Sequence, residues 1–259
     1  MRLITWNVNS VRARLPRVLE LLEHYAPDVL CLQETKVAAD AFPHEPLQDA
    51  GYTAVSRSEG RWNGVALLVP RDVEVAGVAA CLPGEPDPAE ARWIEATVAG
   101  ARVASVYVPN GREPDHPMFS QKLAFLDAMR ERMAALLPGG PVVVAGDVNV
   151  APEDRDVWDP AAFVGATHVT PEERERLASI LDLGAVDAFR AVEPAAEGFT
   201  WWDYRMNAFR RRMGMRIDLV LVSPDLVVRS CTVDTSFREP NAAGDKPSDH
   251  APVVVELEQ

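Results

Sequence analysis

Asn7, Glu34, Asp147, Asn149 and Asp249 each stand where a run of apolar residues stops, and every one of them is acidic or an amide. Strand ends on a rigid scaffold are where chemistry is usually assembled. Turn chemistry, which favours Asp and Asn, explains any one of them alone. The shared character of the set points to a site. Glu34 closes the run in Leu32-Gln-Glu-Thr-Lys36. A buried carboxylate there needs a cation to offset desolvation. Lys36 or a metal ion meets that need, and a plain surface Glu–Lys pair fits the segment equally well. In Gly146-Asp-Val-Asn149 the polar residues are two apart, so an extended backbone turns both to one face. Asn149 can hold a metal, a water or a phosphate oxygen, although a simple turn uses the same residues. Ser248-Asp-His-Ala-Pro252 supplies His250, suited to proton transfer or phosphate contact near neutral pH. Asp218, in Arg216-Ile-Asp218, is the candidate carboxylate to orient it. Tyr107, before Pro109-Asn110-Gly111, is either a donor to a phosphate or leaving oxygen or a half-buried packing aromatic. His24, His44, His116 and His168 lack such a setting and are assigned no role.

The candidate ligands are oxygen donors with no Cys/His set, which favours Mg²⁺ or Mn²⁺, one ion or two, over zinc. The chemistry implied is metal-assisted phosphoester hydrolysis, in which a metal neutralises phosphate charge and a carboxylate activates water.

Charge raises an objection. With 26 basic against 39 acidic residues the net charge is −13, which repels a polyanion. A nucleic-acid substrate therefore requires a local positive patch. Arg205, Arg210, Arg211, Arg212 and Arg216 fall in a stretch without acidic residues, just after Phe199-Thr-Trp-Trp-Asp-Tyr204. Arginines bind phosphates and aromatics stack on bases, so the segment reads as a nucleic-acid contact. A solvated loop is the plainer alternative, and at least one of Trp201 and Trp202 is expected in the core.

These residues need a scaffold to converge. The 259 residues are 47% hydrophobic and 25% charged, which excludes wholesale disorder. No run of about 18 apolar residues exists to span a membrane, and Arg2-Leu-Ile-Thr-Trp-Asn7 is too polar for a signal-peptide core. Cys31, Cys81 and Cys231 are odd in number and far apart, which predicts a reduced, cytoplasmic protein. Strands are predicted at Leu3–Val8, Asp28–Gln33, Val65–Val69, Val103–Val108, Val142–Ala145, Ile217–Val222 and Val253–Leu257. Helices are predicted from the spacing of Leu15, Val18, Leu19 and Leu22, and from the stripe Phe119 to Leu137, stopped by Pro138-Gly-Gly-Pro141. Thr170-Pro-Glu-Glu173 is a capping box, with Gly184 as the expected C-cap. The elements alternate to the chain's end without a linker or repeat, so one domain over 1–259 is expected.

Read in order, the motifs resemble a known family. They are Thr5-Trp-Asn-Val-Asn9, Gln33-Glu-Thr-Lys36, Asn63-Gly-Val-Ala66, Tyr107-Val-Pro-Asn110, Gly146-Asp-Val-Asn149, Pro171-Glu-Glu-Arg174, Phe199-Thr-Trp-Trp-Asp-Tyr-Arg205, Arg216-Ile-Asp218 and Ser248-Asp-His250. Each is short, but the ordered set spans the chain and is similar to the bacterial exonuclease III / apurinic-apyrimidinic endonuclease family, within the endonuclease/exonuclease/phosphatase superfamily. The resemblance implies an α+β fold, a four-layer α/β/β/α sandwich of two packed mixed sheets. It implies a divalent metal held chiefly by Glu34, with Asn7 and Asp249 nearby and Asp147 and Asn149 in reach. Asp147 would be the general base or acid, Asn149 would hold the nucleophile or transition state, His250 oriented by Asp218 would contact the phosphate, and Tyr107 would assist. Trp201 would line the pocket for an extruded abasic sugar. The implied substrate is duplex DNA with abasic sites or 3′ ends, cut by a monomer without a protein partner. Asn110 departs from Gln in some bacterial relatives, Trp202 from a common Phe, and Arg210–Arg212 is not a fixed family feature. Two other classes are a non-catalytic nucleic-acid-binding regulator, which would have lost metal and base residues, and a small-molecule or lipid phosphoester phosphatase, against which the arginines and aromatics argue.

Overall fold

Val142-Val-Val-Ala145 and its counterparts form strands because β-branched side chains are stiff and pack well on a pleated surface. A computed structural model describes residues 1–258. Its elements in chain order are β1 (Arg2–Asn7), α1 (Leu15–Tyr25), β2 (Val29–Gln33), α2 (His44–Asp49), β3 (Tyr52–Arg57), β4 (Val65–Pro70), β5 (Val75–Ala79), β6 (Trp93–Val98), β7 (Ala101–Tyr107), α3 (Pro117–Leu136), β8 (Val142–Asp147), α4 (Pro171–Leu181), β9 (Val186–Asp187), α5 (Ala188–Val192), β10 (Trp201–Trp202), β11 (Gly214–Met215), β12 (Asp218–Val222), β13 (Val227–Val233) and β14 (Val253–Glu258).

Two six-stranded mixed sheets result, ordered β13-β14-β1-β2-β4-β3 and β5-β6-β7-β8-β12-β9. Alternation along each strand sends neighbouring side chains to opposite faces. Leu3, Cys31 and Leu67 of the first sheet thus meet Val103, Val143 and Val220 of the second in a shared core. Ile4, Leu30 and Leu68 face outward onto Val18, Leu21 and Leu22 of α1 and Leu47 of α2. On the far side, Val144 and Leu219 pack on Phe125 and Met129 of α3 and on Leu177 and Ile180 of α4. The order is helix, sheet, sheet, helix, the four-layer α+β sandwich expected. No described helix is long and apolar enough to cross a membrane.

Strand direction brings the polar residues together. β1 runs parallel to β2, and β7 parallel to β8, so Asn7 emerges beside Gln33 and Tyr107 beside Asp147. β12 runs antiparallel to β8, so its first residue, Asp218, pairs with Asp147, the last of β8. β14 runs antiparallel to β1, with Thr5 opposite Val253, which brings the segment preceding β14 to the same edge.

Strands β3, β5, β6, β9, β10, β11 and β13 and helices α2 and α5 were not among the expected elements. β5 and β13 are exposed edge strands whose Gly77, Arg229 and Ser230 dilute the apolar signal. The Thr170–Glu173 capping box forms as expected, but α4 ends at Leu181 with Asp182 as its cap. Gly184 closes the next turn, its amide donating to the Leu181 carbonyl at 2.9 Å with a φ of +97°.

Candidate active site

Asn7 ties the two sheets. Its Nδ2 donates to Glu34 Oε1 at 2.8 Å and to Asp147 Oδ2 at 2.9 Å, and the side chain is fully buried. Glu34 follows β2 in the left-handed region, with a φ of +51°. Such a backbone costs a non-glycine residue energy and clusters at functional sites. The turn is braced by Gly64, whose carbonyl accepts from Thr35 N at 3.1 Å. A Cβ on Gly64 would lie 2.1 Å from Thr35 Oγ1, so only glycine fits. The second Glu34 oxygen pairs with Lys36, whose ammonium also donates to Asn9 Oδ1 at 2.7 Å.

Asp147 ends β8. Its Oδ1 accepts from the Asn149 amide at 3.0 Å. Gly146 lets β8 lie against β7, because a Cβ there would sit 1.9 Å from the Val106 carbonyl oxygen. His250 Nδ1 lies 2.8 Å from Asp218 Oδ2, and its Nε2 lies 3.8 Å from Asp147 Oδ2. Trp6 Nε1 donates to the His250 carbonyl at 3.0 Å, and Ser248 Oγ to the Asn7 carbonyl at 2.7 Å, bonding residues more than 240 positions apart.

Burial, then the neighbouring Asp218, push the Asp147 carboxyl up to about 8. Burial alone would depress the His250 imidazole, but Asp218, Asp147 and Asp249 outweigh it and raise the group to about 10. Burial and the carboxylates of Glu34 and Asp147 hold the Tyr107 phenol well above its ordinary range.

One ligand-type atom from each of Glu34, Asp147 and His250 lies within 4.8 Å of the others. Asp218 Oδ1 is buried without a hydrogen-bond partner. This excess of carboxylate oxygen in a low-dielectric pocket suits a hard cation, so the residues fit a metal ion. The other expected ligands carry hydrogen bonds of their own. Asn7 presents its NH₂ to the carboxylates and acts as a donor. Asn149 donates Nδ2 to the Val108 carbonyl at 2.9 Å, and its Oδ1 accepts from Asn110 at 3.3 Å. Asp249 accepts from Asn9 at 3.0 Å and from Trp201 Nε1 at 3.2 Å. Trp201 and His250 form an isolated antiparallel bridge just before β14, which draws that tryptophan to the rim.

The arginine segment divides. Arg216 is a correction: it is 1% exposed, with Nε 2.6 Å from Asp156 and Nη1 2.8 Å from Asp187. It leads into β12, an interior strand between β8 and β9, so its charge is consumed inside the protein and cannot meet DNA. Arg205 is exposed but pairs with Asp203 at 2.6 Å, and Arg212 pairs with Glu197 at 2.9 Å. Arg210 and Arg211 are exposed and form no ion pair among the described residues. Trp202 is core, edge-to-face with Phe209 at 5.0 Å.

Sequence reasoning passed over His168, whose Nε2 lies 3.0 Å from Asn149 Oδ1 and 3.2 Å from Asn110 Nδ2. Burial, then the Lys122 ammonium, push its imidazole down to about 3, so it is neutral. Lys122 was missed as well. It lies among Phe119, Leu126 and Met129 on the buried face of α3, and a lysine in an apolar stripe is itself a signal that a partner waits inside.

A family model for the Endonuclease/Exonuclease/phosphatase family matches residues 4–250. The chain belongs to that family. Exodeoxyribonuclease III of Haemophilus influenzae is 33% identical over 273 aligned positions, covering 99% of this chain and 100% of that protein. Two solved structures cover both chains in full. The 3′ phosphatase NExo from Neisseria, bound to product DNA hairpin, matches with a TM-score of 0.95 at 39% identity. An AP endonuclease from Archaeoglobus fulgidus matches with a TM-score of 0.93 at 34% identity.

Proposed function

We propose that this protein is a Mg²⁺-dependent DNA-repair phosphodiesterase. It trims and cleans 3′ ends of duplex DNA as a 3′–5′ exonuclease and 3′-end-processing enzyme, and it cuts the backbone 5′ to abasic sites. The observation that carries the reading is the convergence of Glu34, Asp147 and the His250–Asp218 pair at one edge of both sheets. The 39% identity to a chain described as a 3′ phosphatase supports 3′-end processing among the activities.

A divalent ion held by Glu34 and Asp147 would neutralise charge on the phosphate. The side chains do the rest. Asp147, whose carboxyl burial and the neighbouring Asp218 make more basic than an ordinary carboxylate, would take a proton from the attacking water. His250, its imidazole raised chiefly by the Asp218 carboxylate that fixes Nδ1, would offer Nε2–H to a non-bridging phosphate oxygen. Tyr107 keeps its proton and can donate to the phosphate or the leaving oxygen. Asn149 locks the Asp147 carboxylate through its backbone amide. Arg210, Arg211 and Trp201 meet the DNA at the rim, with Arg205 and Arg212 available once their surface pairs open. One catalytic domain over 1–259 acts as a monomer, and the three unpaired cysteines suit a reducing cytoplasm.

The test offers three duplexes, with a recessed 3′ end, a 3′ phosphate and an abasic analogue, to wild type and Glu34→Ala, with and without magnesium. Wild type is expected to act only with magnesium and Glu34→Ala to lose that action. Equal cutting by both proteins overturns the metal assignment. Turnover of small phosphoesters with no DNA cleavage overturns the substrate.

A further inference from the structure

Beneath Asn149 lies a buried polar knot that no step above uses. Lys122, in the middle of α3, is fully buried. Its ammonium donates to the Asn149 carbonyl at 2.6 Å, the Asn110 carbonyl at 3.2 Å and Thr167 Oγ1 at 3.1 Å, and it pairs closely with Glu173. Glu173, also fully buried, accepts in turn from the His168 amide at 2.9 Å, the Thr170 amide at 2.9 Å and Thr167 Oγ1 at 2.8 Å. One ion pair thus fastens the loop after β7 and both ends of the β8–α4 connection.

The knot has a specific consequence for Asn149. That residue sits in the left-handed region with a φ of +54°, where asparagine is tolerated but not favoured. Its carbonyl is held by Lys122, and its amide holds Asp147 Oδ1. The side-chain Oδ1 faces His168, whose own backbone Glu173 anchors. Gly111 keeps the space open, because a Cβ there would come within 2.9 Å of Lys122 Cδ and 3.0 Å of Thr167 Oγ1. A buried ion pair contributes little net stability against apolar residues of the same size, so its presence calls for another reason.

We propose that Lys122 and Glu173 are positioning residues. They set the geometry of Asn149 and, through it, the Asp147 carboxylate. This inference rests on the nuclease reading. If wild type shows no magnesium-dependent cleavage, that reading fails by itself. Lys122 and Glu173 then have no cleavage geometry to set, and this inference is overturned too.

Given a cleaving wild type, Lys122→Met is expected to lower kcat about a hundredfold with KM for the recessed duplex nearly unchanged, since misplacement of about 1 Å costs that much. It should also lower the melting temperature by leaving Glu173 buried and unpaired. The decisive protein is the double variant Lys122→Met/Glu173→Gln, which buries no unpaired charge and keeps the fold measurable even if a single variant does not. Its melting temperature should return toward wild type while kcat stays depressed. A double variant that regains both melting temperature and kcat shows that the pair serves stability alone and overturns the proposal. So does a double variant whose loss falls wholly in KM.

Discussion

The carboxylate–histidine knot at the sheet ends and the arginine segment from Arg205 to Arg216 are both rich in charge, yet they are built in opposite ways. In the knot, Asn7, Asp147, Asp218 and His250 are all buried, and nearly every polar atom has a partner. In the segment, Arg205, Arg210, Arg211 and Arg212 stand in water, and two of them are tied to carboxylates of their own surface. Only Arg216 is built like the knot, and it serves the interior. Burial and saturation mark groups whose geometry is fixed in advance, as chemistry demands. Exposed, loosely paired arginines suit contact with a flexible polyanion, where position matters less than charge.

Substitutions should widen that contrast. The largest effect is expected in the knot. Asp147→Asn should cut kcat by about 10²–10⁴-fold, the usual worth of a general acid or base, with duplex affinity nearly retained. Single-turnover cleavage and a gel-shift titration measure the two, and comparable losses in both would erase the distinction.

Arg216→Met comes next. Removing one partner of a buried pair costs about 3–5 kcal/mol. Asp156 and Asp187 would be left facing each other's charge, although Arg190 still bonds Asp156. Denaturant unfolding should show the loss. The salt dependence of DNA binding, measured on protein that remains folded, should not change.

The third effect is a pH response of the metal-free protein. Asp147 moves from an ordinary 3.8 up to about 8, and His250 from 6.5 up to about 10. Between those limits the folded state binds more protons than the unfolded one, so stability falls as pH rises. Melting temperature without metal should therefore decline from about pH 4 to pH 10 where these groups dominate. Asp147 contributes below about 8 and His250 above 6.5. Magnesium should flatten the decline most at the alkaline end, and identical curves with and without it would count against a metal at this carboxylate.

The smallest effect belongs to the surface. Arg210→Ala and Arg211→Ala should each reduce the slope of log affinity against log salt by about 1. Arg205→Ala and Arg212→Ala should change it less, because Asp203 and Glu197 already screen them.

Much of this architecture was legible in the sequence where one face of an element repeats. The valine run of β8 and the stripe of α3 announced themselves by spacing, and the Thr170–Glu173 box by its residue types. The edge strands β5 and β13 stayed hidden, because water on one side relaxes the pattern that burial enforces. The candidate site was legible as a set of strand-end acids and amides, but not as a geometry. Nothing local distinguishes Asp249, tied to Asn9 and Trp201, from Asp147 in the knot. Arg216 misled because four exposed arginines precede it, and register rather than composition turned it inward. His168 went unseen for the same reason. Its partners Asn149 and Asn110 lie 19 and 58 positions away and reach it only in the folded chain, where the parallel pairing of β7 and β8 sets those two side by side.

The bonds from Trp6 to the His250 carbonyl and from Ser248 to the Asn7 carbonyl have a consequence for synthesis of the chain. The segment that leaves the ribosome early must wait for one that leaves late. Until residues near 250 are translated, Asn7 and Trp6 have no neighbour there, and β1 lacks β14 along one side. A chain cut short before residue 248 would lack both bonds and the His250 imidazole, leaving Asn7 and Trp6 unfastened at the edge where the polar residues gather.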